Sequence, residues 1–297
     1  MDLNLLKTFA GVLRSGSFAA YARETGVDPS SVSRSIAALE AALGIRLFER
    51  STRRMVPTEA GLVYSDRIGP LLDALSEAAD VARDVVSEPS GRLRVTTSVA
   101  LGERWLVPRL ADFRARHPRI TLDLRLTDTD LELAAEGLDV ALRHAPRVEG
   151  AYVVTKLFDT RYRVVAAPAY LCRRGRPSRP EDLAAQDAIG FSLPGHGPRW
   201  RLYDRKQKRR LTVVPQIVMT VSNALALRRA AFEGMGVALL ADWTIAADLA
   251  SGALIDLFPD VDARATDEKA SAWILYRDRR SMPARLRLFI DYLKEAV

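Results

Sequence analysis

The stretch that decides the fold is "DPSSVSRSIAALE", from Asp28 to Glu40, which has the pattern of a helix with two different faces. Val32, Ile36 and Leu39 recur at helical spacing and predict an apolar stripe that packs against a core. The opposite face carries only small, hydroxyl and basic side chains, namely Ser30, Ser33, Arg34, Ala37 and Ala41. Solvated helix faces are usually rich in charged residues, so this composition indicates a surface with a role of its own.

The residues around this helix predict a helix-turn-helix with a wing. Asp28 is a favourable N-cap, and Pro29 suits the first helical position because an N–H there would have no partner. An earlier helix is expected to end at Gly16, and Ser17 can cap a second helix, "FAAYARET". Two short helices joined by a tight glycine-containing turn are typical of this motif. Further along, the turn-like "RSTRR" followed by Val56-Pro57 predicts a short two-stranded wing.

The second segment, from Thr58 to about Glu88, is expected to form a long helix that needs a partner. Its apolar residues are spaced alternately three and four apart, as in the a/d seam of a coiled coil: Ile68, Leu71, Leu75, Ala78, Ala82 and Val85. A surface helix packed on its own domain is the alternative. Pro70 lies inside the pattern and predicts a kink or a break near Gly69. The stretch "SEPSG", which ends at Gly91, has the composition of a linker.

The third segment, from Arg92 to Val297, alternates predicted strands with helical stretches. Short apolar strands are expected at "RLRVTTS", "ITLDLRL", "DVALR", "RVVAA", "AIGFS", "QIVMTVS" and "GVALLA". This alternation is typical of an α/β domain with a largely parallel sheet, and its length suggests two lobes. The basic run "WRLYDRKQKRRL", from Trp200 to Leu211, is expected to form a hairpin whose Arg and Lys side chains lie in solvent, and nucleic-acid binding by this run is the alternative. The same is expected of the basic stretch near Cys172.

Composition argues against several classes of protein. Hydrophobic residues make up 48% of the 297-residue chain, as in globular rather than disordered proteins. The one cysteine, Cys172, rules out an internal disulfide and fits a cytoplasmic location. Export and membrane insertion are not expected, because Asp2 is acidic and no long apolar run is present. The net charge of +7 favours a polyanionic partner.

Enzymatic chemistry is not expected from this sequence. The three histidines, His117, His144 and His196, are scattered along the chain. No nucleophile–base arrangement, phosphate-binding loop or metal-ligand spacing accompanies them. We therefore expect a protein that binds partners without catalysis, a cofactor or a metal ion.

The stretch "GSFAAYARETGVDPSSVSRSIAALEAALGIRLFERSTRRMVPTEAG", Gly16 to Gly61, resembles the winged helix-turn-helix of LysR-type transcriptional regulators. Downstream, "DVALR", "VVAAPAYLCRRGRPSRPEDLA" and "SNALALRRAAFEGMGVALLADW" are similar to landmarks of that family's effector domain, so the resemblance spans the chain. Four residues depart from the pattern in this chain: Tyr21, Thr25, Pro57 and Ala241. None removes an expected DNA contact, although Tyr21 is expected to change how its helix packs.

The resemblance implies a multi-domain α plus α/β fold. It implies a winged helix-turn-helix DNA-binding domain over residues 1–58, a long linker and dimerisation helix over 59–89, and an effector-binding domain over 90–297. That last domain would have two lobes like a periplasmic binding protein, lobe I over about 90–162 and 268–297 and lobe II over about 163–267. Linker helices and effector domains would join subunits into a homodimer or homotetramer.

The function implied is sequence-specific binding of double-stranded DNA. The helix-turn-helix would span about 18–37, and the slim face of the helix from Pro29 to Leu43 would fit the major groove. DNA contacts are expected from Ser17, Ser30, Ser31, Ser33 and Arg34, and from Arg50, Arg53 and Arg54 in the wing. Arg34 can read guanine or hold a phosphate, and the wing arginines can enter a narrow minor groove or neutralise phosphates. Both pairs of alternatives stay open.

A small-molecule effector, expected to be a small organic acid, would modulate promoter binding or bending and contact with RNA polymerase. Its expected site is lined by Thr97 and Ser98 and, by family position, by Thr129, Phe191, Ser192 and Asn223. Ordinary helix capping explains Ser98, Thr129 and Asn223 equally well. The alternative functions are those of a helix-turn-helix regulator of another family, or of a solute-binding protein without a DNA role. The latter would leave the first two segments unexplained.

Overall fold

The computed structural model describes residues 2–49, 56–84, 88–129, 133, 136–148, 150–192, 196–264, 266, 268–277 and 282–297. The chain forms two compact units. The first is Met1–Ser87 with Ala134–Gly137, and the second is Glu88–Leu133 with Leu138–Val297.

The first unit contains the predicted helix-turn-helix and wing. Its elements in chain order are α1 (Leu3–Ser15), α2 (Phe18–Thr25), α3 (Pro29–Leu43), β1 (Phe48–Glu49), β2 (Val56–Pro57) and α4 (Glu59–Asp84). The predicted caps are confirmed: the Ala20 N–H donates to Ser17 Oγ at 3.0 Å, and the Ser30 N–H donates to Asp28 Oδ1 at 2.8 Å. Strands β1 and β2 pair antiparallel, as expected for the wing.

The apolar stripe of α3 lies in the core of this unit. Val32, Ile36 and Leu39 are buried there with residues from α1, α2, the wing and α4. The other buried members are Phe9, Val12, Ala22, Leu47, Phe48 and Ile68. Burying such a stripe fixes the rotation of α3 about its axis, so the small and hydroxyl side chains of the opposite face must point outward.

Helix α4 continues through Pro70 from Glu59 to Asp84, so of the predicted kink or break near Gly69 the break is wrong, and the kink stays a prediction. The residues of the predicted a/d seam differ in how far they are buried. Ile68 packs into the core of its own unit, whereas Leu71 and Leu75 are 63% and 55% exposed. Val85 lies outside the described residues. Two large apolar side chains in water on one helix indicate a surface that needs a partner.

The second unit contains two sheets. Its strands in chain order are β3 (Gly91–Thr97), β4 (Ile120–Leu126), β5 (Val140–Ala145), β6 (Val153–Asp159), β7 (Tyr162–Ala166), β8 (Asp187–Phe191), β9 (Trp200–Asp204), β10 (Arg209–Val213), β11 (Gln216–Val221), β12 (Val237–Ala241), β13 (Ile255–Asp256), β14 (Val261–Arg264) and β15 (Ser271–Tyr276). Its helices are α5 (Val99–Leu101), a π-helical turn (Gly102–Leu106), α6 (Val107–Arg116), α7 (Pro168–Arg174), a 3₁₀ helix (Pro180–Ala185), α8 (Ala224–Phe232), α9 (Asp242–Ser251) and α10 (Ala284–Glu295).

The first lobe is built on the sheet β4-β3-β5-β15-β6, and the second lobe on the sheet β10-β9-β14-β7-β12-β8-β11 with β13 beside β7. The chain passes from the first sheet to the second between β6 and β7, and returns between β14 and β15. Strands β3, β4 and β5 run parallel, as do β8, β11 and β12, but β15 and β7 pair antiparallel with their neighbours. The prediction of largely parallel sheets is therefore wrong, and both sheets are mixed.

The basic run of the second lobe forms the predicted hairpin, β9 paired with β10. Trp200 and Leu202 point into the core of the lobe. The basic side chains of the turn are exposed, and Lys206 and Arg209 pair with Asp260 and Glu181. Paired and solvated cations on a hairpin need no nucleic-acid partner to explain them.

Tyr21 packs over a glycine on the neighbouring helix. A Cβ atom built on Gly11 of α1 would lie only 2.1 Å from Cε2 of the Tyr21 ring. Gly11 therefore provides the space that the Tyr21 ring needs. The sequence indicated that Tyr21 changes the packing of its helix, and the structure supplies the compensating residue.

This contact predicts that Gly11→Ala changes the free energy of unfolding in opposite directions with and without the Tyr21 ring. Gly11→Ala should destabilise the protein by about 1–3 kcal/mol, because the new methyl group clashes with the ring. In a Tyr21→Ala background the same substitution should stabilise the protein by up to about 1 kcal/mol, since alanine is the better helix former. Thermal unfolding followed by far-ultraviolet circular dichroism measures both effects. Equal effects in the two backgrounds would contradict the contact.

Candidate functional site

The outward face of α3 is exposed over its whole length. Ser30, Ser33, Arg34, Ala37 and Ala41 all lie in solvent. Apart from Arg34, the side chains of this face are small, so it can approach a concave surface closely. The Arg34 guanidinium folds back over the first turn, where Nη2 donates to Ser31 Oγ at 3.2 Å and Nε lies 3.4 Å from the Ser30 carbonyl oxygen.

The N-terminus of α3 holds a carboxylate of the chain itself. Hydrogen bonds from the Ser30 hydroxyl and then from the Ser30 N–H keep the pKa of Asp28 below its ordinary value. The Ser30 N–H is therefore engaged within the chain and is not a donor for a DNA phosphate. The hydroxyls of Ser31 and Ser33 and the Arg34 guanidinium remain the donors nearest to an approaching anion.

Glu40 connects α3 to the wing. Its Oε1 accepts hydrogen bonds from the backbone N–H groups of Leu47 and Phe48, at 2.7 and 3.2 Å. The wing is anchored at the helix N-terminus of α4 as well, because Thr58 N–H donates to the Leu47 carbonyl at 3.0 Å. These bonds fix where the wing starts relative to α3. Arg50, Arg53 and Arg54, the expected contacts of the wing tip, lie outside the described residues.

A groove of about 370 Å³ extends the slim face beyond Ala41. It is lined by Ala37, Glu40, Ala41, Gly44, Ile45 and Arg46. Arg46 is exposed and only loosely paired with Glu40, at 3.8 Å. Arg46 was not among the DNA contacts expected from the sequence. A helix C-terminus followed by an exposed cation is the signal that would have found it. Ser17, in contrast, is partly buried and is used as the cap of α2.

The expected effector residues of the first lobe lie at the carboxyl ends of parallel strands. Thr97 ends β3, and its side-chain Oγ1 is buried without a hydrogen-bond partner, with 1% of the residue exposed. Ser98 precedes α5 but makes no side-chain capping bond. Thr129 follows β4 and donates its N–H to Thr127 Oγ1 at 3.2 Å. Capping thus does not account for Ser98, and the unpartnered buried hydroxyl of Thr97 beside it points to a bound water or ligand.

In the second lobe, Asn223 and Phe191 also follow parallel strands. Asn223 caps α8, because its Oδ1 accepts from the N–H groups of Leu225 and Ala226, at 3.0 and 3.1 Å. Phe191 ends β8, and its ring meets His196 edge-on at 5.1 Å. Ser192 donates its N–H to the Val221 carbonyl at 2.7 Å.

Asp128, which sequence reasoning missed, joins the two sets of residues. Its Oδ1 accepts from the Val99 N–H at 3.0 Å in its own lobe, and its Oδ2 accepts from Asn223 Nδ2 at 2.8 Å in the other lobe. Thr97, Ser98, Thr129 and Asn223 are thereby brought to one crevice, as expected for the carboxyl ends of strands in an α/β sheet.

His144 is a second residue that sequence reasoning missed, since it had been dismissed as scattered. It lies at the carboxyl end of β5, 5.5 Å from the Trp243 ring and 6.0 Å from the Tyr162 ring. Its Nε2 is buried without a hydrogen-bond partner. Burial, and secondarily the charge of His196, lowers the pKa of His144 to about 4. Its position at the end of a parallel strand, shared with Thr97, was the available signal.

The family model of the bacterial regulatory helix-turn-helix protein, lysR family, matches residues 3–62, and that of the LysR substrate binding domain matches residues 87–297. The chain belongs to the LysR family. It is a DNA-binding transcriptional regulator with an effector-binding regulatory domain. Within the described residues, no group of three or more His, Cys, Asp and Glu side chains could hold a metal ion, and no helix is long and apolar enough to cross a membrane.

Similar proteins in this family cover nearly the whole chain. The HTH-type transcriptional regulator CrgA of Neisseria meningitidis serogroup C is 33% identical over 98% of this chain and 95% of that protein. The solved structure of CrgA from Neisseria meningitidis matches with a TM-score of 0.61 and 31% identity, over 99% of this chain and 98% of that one. The full-length structure of the Vibrio cholerae virulence activator AphB matches with a TM-score of 0.59 and 26% identity, over 99% and 98%.

The depressed pKa of His144 predicts acid sensitivity. In the unfolded chain this histidine binds a proton near pH 6.5, but in the folded protein it binds one only near pH 4. The unfolded state therefore holds more protons between these values, and stability falls as the pH drops through that window. His144→Phe should reduce the loss of stability between pH 7 and pH 4.5 by about 2 kcal/mol.

Denaturant unfolding followed by tryptophan fluorescence measures this difference, because Trp105, Trp200, Trp243 and Trp273 all lie in the second unit. The matched control is His117→Phe, at the end of α6. An identical pH dependence in wild type and His144→Phe would contradict the buried, neutral state of this histidine.

Proposed function

We propose that this LysR-family regulator reads DNA with α3 in the major groove. The observation that carries the proposal is the slim, exposed outer face of α3, held outward by the burial of Val32, Ile36 and Leu39. The major groove is about 12 Å wide and admits an α-helix, and small leading side chains let the helix backbone come close to the base edges. Serine and alanine are such side chains, and the one basic side chain on this face supplies a charged donor.

The proposed DNA contacts divide by role. Ser30, Ser31 and Ser33 donate hydrogen bonds to phosphates or base edges. Ser17, at the start of α2, donates a hydrogen bond to the DNA backbone. Arg34 reads guanine O6 and N7 or, alternatively, holds a phosphate. The wing arginines Arg50, Arg53 and Arg54 enter a narrowed minor groove or neutralise phosphates.

The proposed division of labour follows the chain. Residues 1–58 bind DNA, 59–89 join subunits, and 90–297 bind the effector. Within the last part, lobe I comprises about 90–162 and 268–297, and lobe II about 163–267. The exposed Leu71 and Leu75 of α4 support pairing with a second subunit, and a homotetramer built from two such dimers is the proposed working form.

The proposed effector is a small organic acid bound in the crevice between the lobes. Its proposed contacts are Thr97, Ser98, Thr129, Phe191, Ser192 and Asn223. The unpartnered Thr97 hydroxyl and the uncommitted Ser98 side chain support this site. An effector can act only by binding the two arrangements of the lobes with different affinity. An effector that favours one arrangement of the lobes changes DNA bending and the contact with RNA polymerase. The proposed location of the protein is the cytoplasm.

Gel-shift and footprinting assays on the DNA that flanks the protein's own gene test this function. We expect a specific complex near physiological salt. The logarithm of its binding constant should fall linearly with the logarithm of the salt concentration. Arg34→Ala should weaken that complex by about 5- to 150-fold, the effect of about 1–3 kcal/mol. The control Arg116→Ala, which removes the same charge from the exposed end of α6, should leave it unchanged.

The same assay separates the two roles of Arg34. If Arg34 reads a base, Arg34→Ala relaxes discrimination at one position of the operator; if it holds a phosphate, all sequences weaken equally and the salt slope drops by about one. Absence of any specific, salt-sensitive complex would contradict the proposed function.

A further inference from the structure

A hydrogen bond between Asn223 and Asp128 crosses the crevice between the two lobes of the second unit. On the side of the first lobe, the Asp128 loop is tied down three times. The Thr127 N–H donates to the Thr97 carbonyl at 2.9 Å, the Val99 N–H to Asp128 Oδ1 at 3.0 Å, and the Thr129 N–H to Thr127 Oγ1 at 3.2 Å.

On the side of the second lobe, the Asn223 amide has a fixed orientation. Its Oδ1 is committed to the N–H groups of Leu225 and Ala226 at the start of α8. The amide cannot turn over without losing both bonds, so Nδ2 must face outward, toward Asp128. The contact between Nδ2 and Asp128 Oδ2, at 2.8 Å, is thus built in by the architecture of both lobes.

The bond itself is easy to break. Asp128 is exposed and Asn223 is only partly buried, so water competes for both groups. Asp128 is separated from Asn223 by 95 residues, and the two belong to different sheets. A weak bond between two rigid ends is well suited to opening and closing, because breaking it disturbs neither lobe.

We propose that Asp128 and Asn223 form a latch that holds the lobes together when no effector is bound. An effector that takes the Asn223 amide, or that pushes the Asp128 carboxylate aside, breaks the latch and frees the lobes to rearrange. The release of the latch by an effector rests on the proposed function, in which the effector binds in this crevice. The latch itself is a property of the free protein and is measured without DNA or effector.

Exchange of the two side chains gives the sharpest test. Asp128→Asn leaves one acceptor oxygen where the Val99 N–H and the Asn223 amide each need one; with that oxygen on the Val99 N–H, the new NH₂ group faces Asn223 Nδ2, donor against donor. Asn223→Asp keeps a capping oxygen for α8 but places two carboxylates next to each other. Each single substitution should raise the ratio of open to closed lobes by about fivefold or more. The double substitution restores a donor and an acceptor with reversed polarity, and should return the ratio to that of the parent protein.

The lobe arrangement is measured as a distance distribution between two spin labels. One label is on Cys172 of the second lobe, the exposed and only cysteine of the chain, and the other on Thr121→Cys in the exposed part of β4. Labelled protein is diluted with unlabelled Cys172→Ser protein, so that only distances within one subunit contribute. Asp260→Asn serves as the control, because it removes an exposed, paired aspartate far along the chain on the second lobe.

The latch predicts longer or broader distances in both single variants, the parent distribution in the double variant, and no change in the control. Single variants that match the parent would overturn the proposal, as would a double variant no closer to the parent than the singles. Failure of the protein to bind its flanking DNA would count against the proposed function and leave the distances unaffected. The two results are therefore distinguishable.

Discussion

The burial of Val32, Ile36 and Leu39 in the core of the first unit is the constraint on which the rest of the structure depends. Three apolar side chains at helical spacing leave α3 only one rotation about its axis. That rotation turns the small face outward and directs Glu40 toward the wing, where it accepts the Leu47 and Phe48 N–H groups. The position of the wing and the shape of the exposed surface therefore follow from the same packing.

The crevice of the second unit depends on a constraint of another kind. Parallel strands in both lobes end at the same place, so short side chains that follow them converge although they are far apart in sequence. Thr97, Asp128 and His144 come from three such strands in the first lobe, and Asn223 follows one in the second. Two of these residues carry buried polar atoms without a hydrogen-bond partner, Thr97 Oγ1 and His144 Nε2.

The first unit could be predicted from the sequence almost element by element, because its signals are local. Asp28 and Ser17 cap the helices that follow them, and the spacing of apolar residues shows which faces are buried. The mixed sheets could not be predicted in this way. The apolar residues of a strand such as β12 do not show whether its neighbours run parallel or antiparallel to it. In the structure β12 pairs parallel with β8 but antiparallel with β7. Asp128 was missed for the same reason, since its partner is 95 residues away.

The most direct test of the account is to make the slim face bulky. Ala37 lies at the middle of the exposed face of α3, and Ala247 is equally exposed on α9 of the second unit. Ala37→Phe should weaken specific DNA binding by more than about tenfold, a loss of about 1.4 kcal/mol, with the free energy of unfolding unchanged. Ala247→Phe should leave the affinity as it is. Full affinity in Ala37→Phe would show that this face does not enter the groove, and would contradict the central claim.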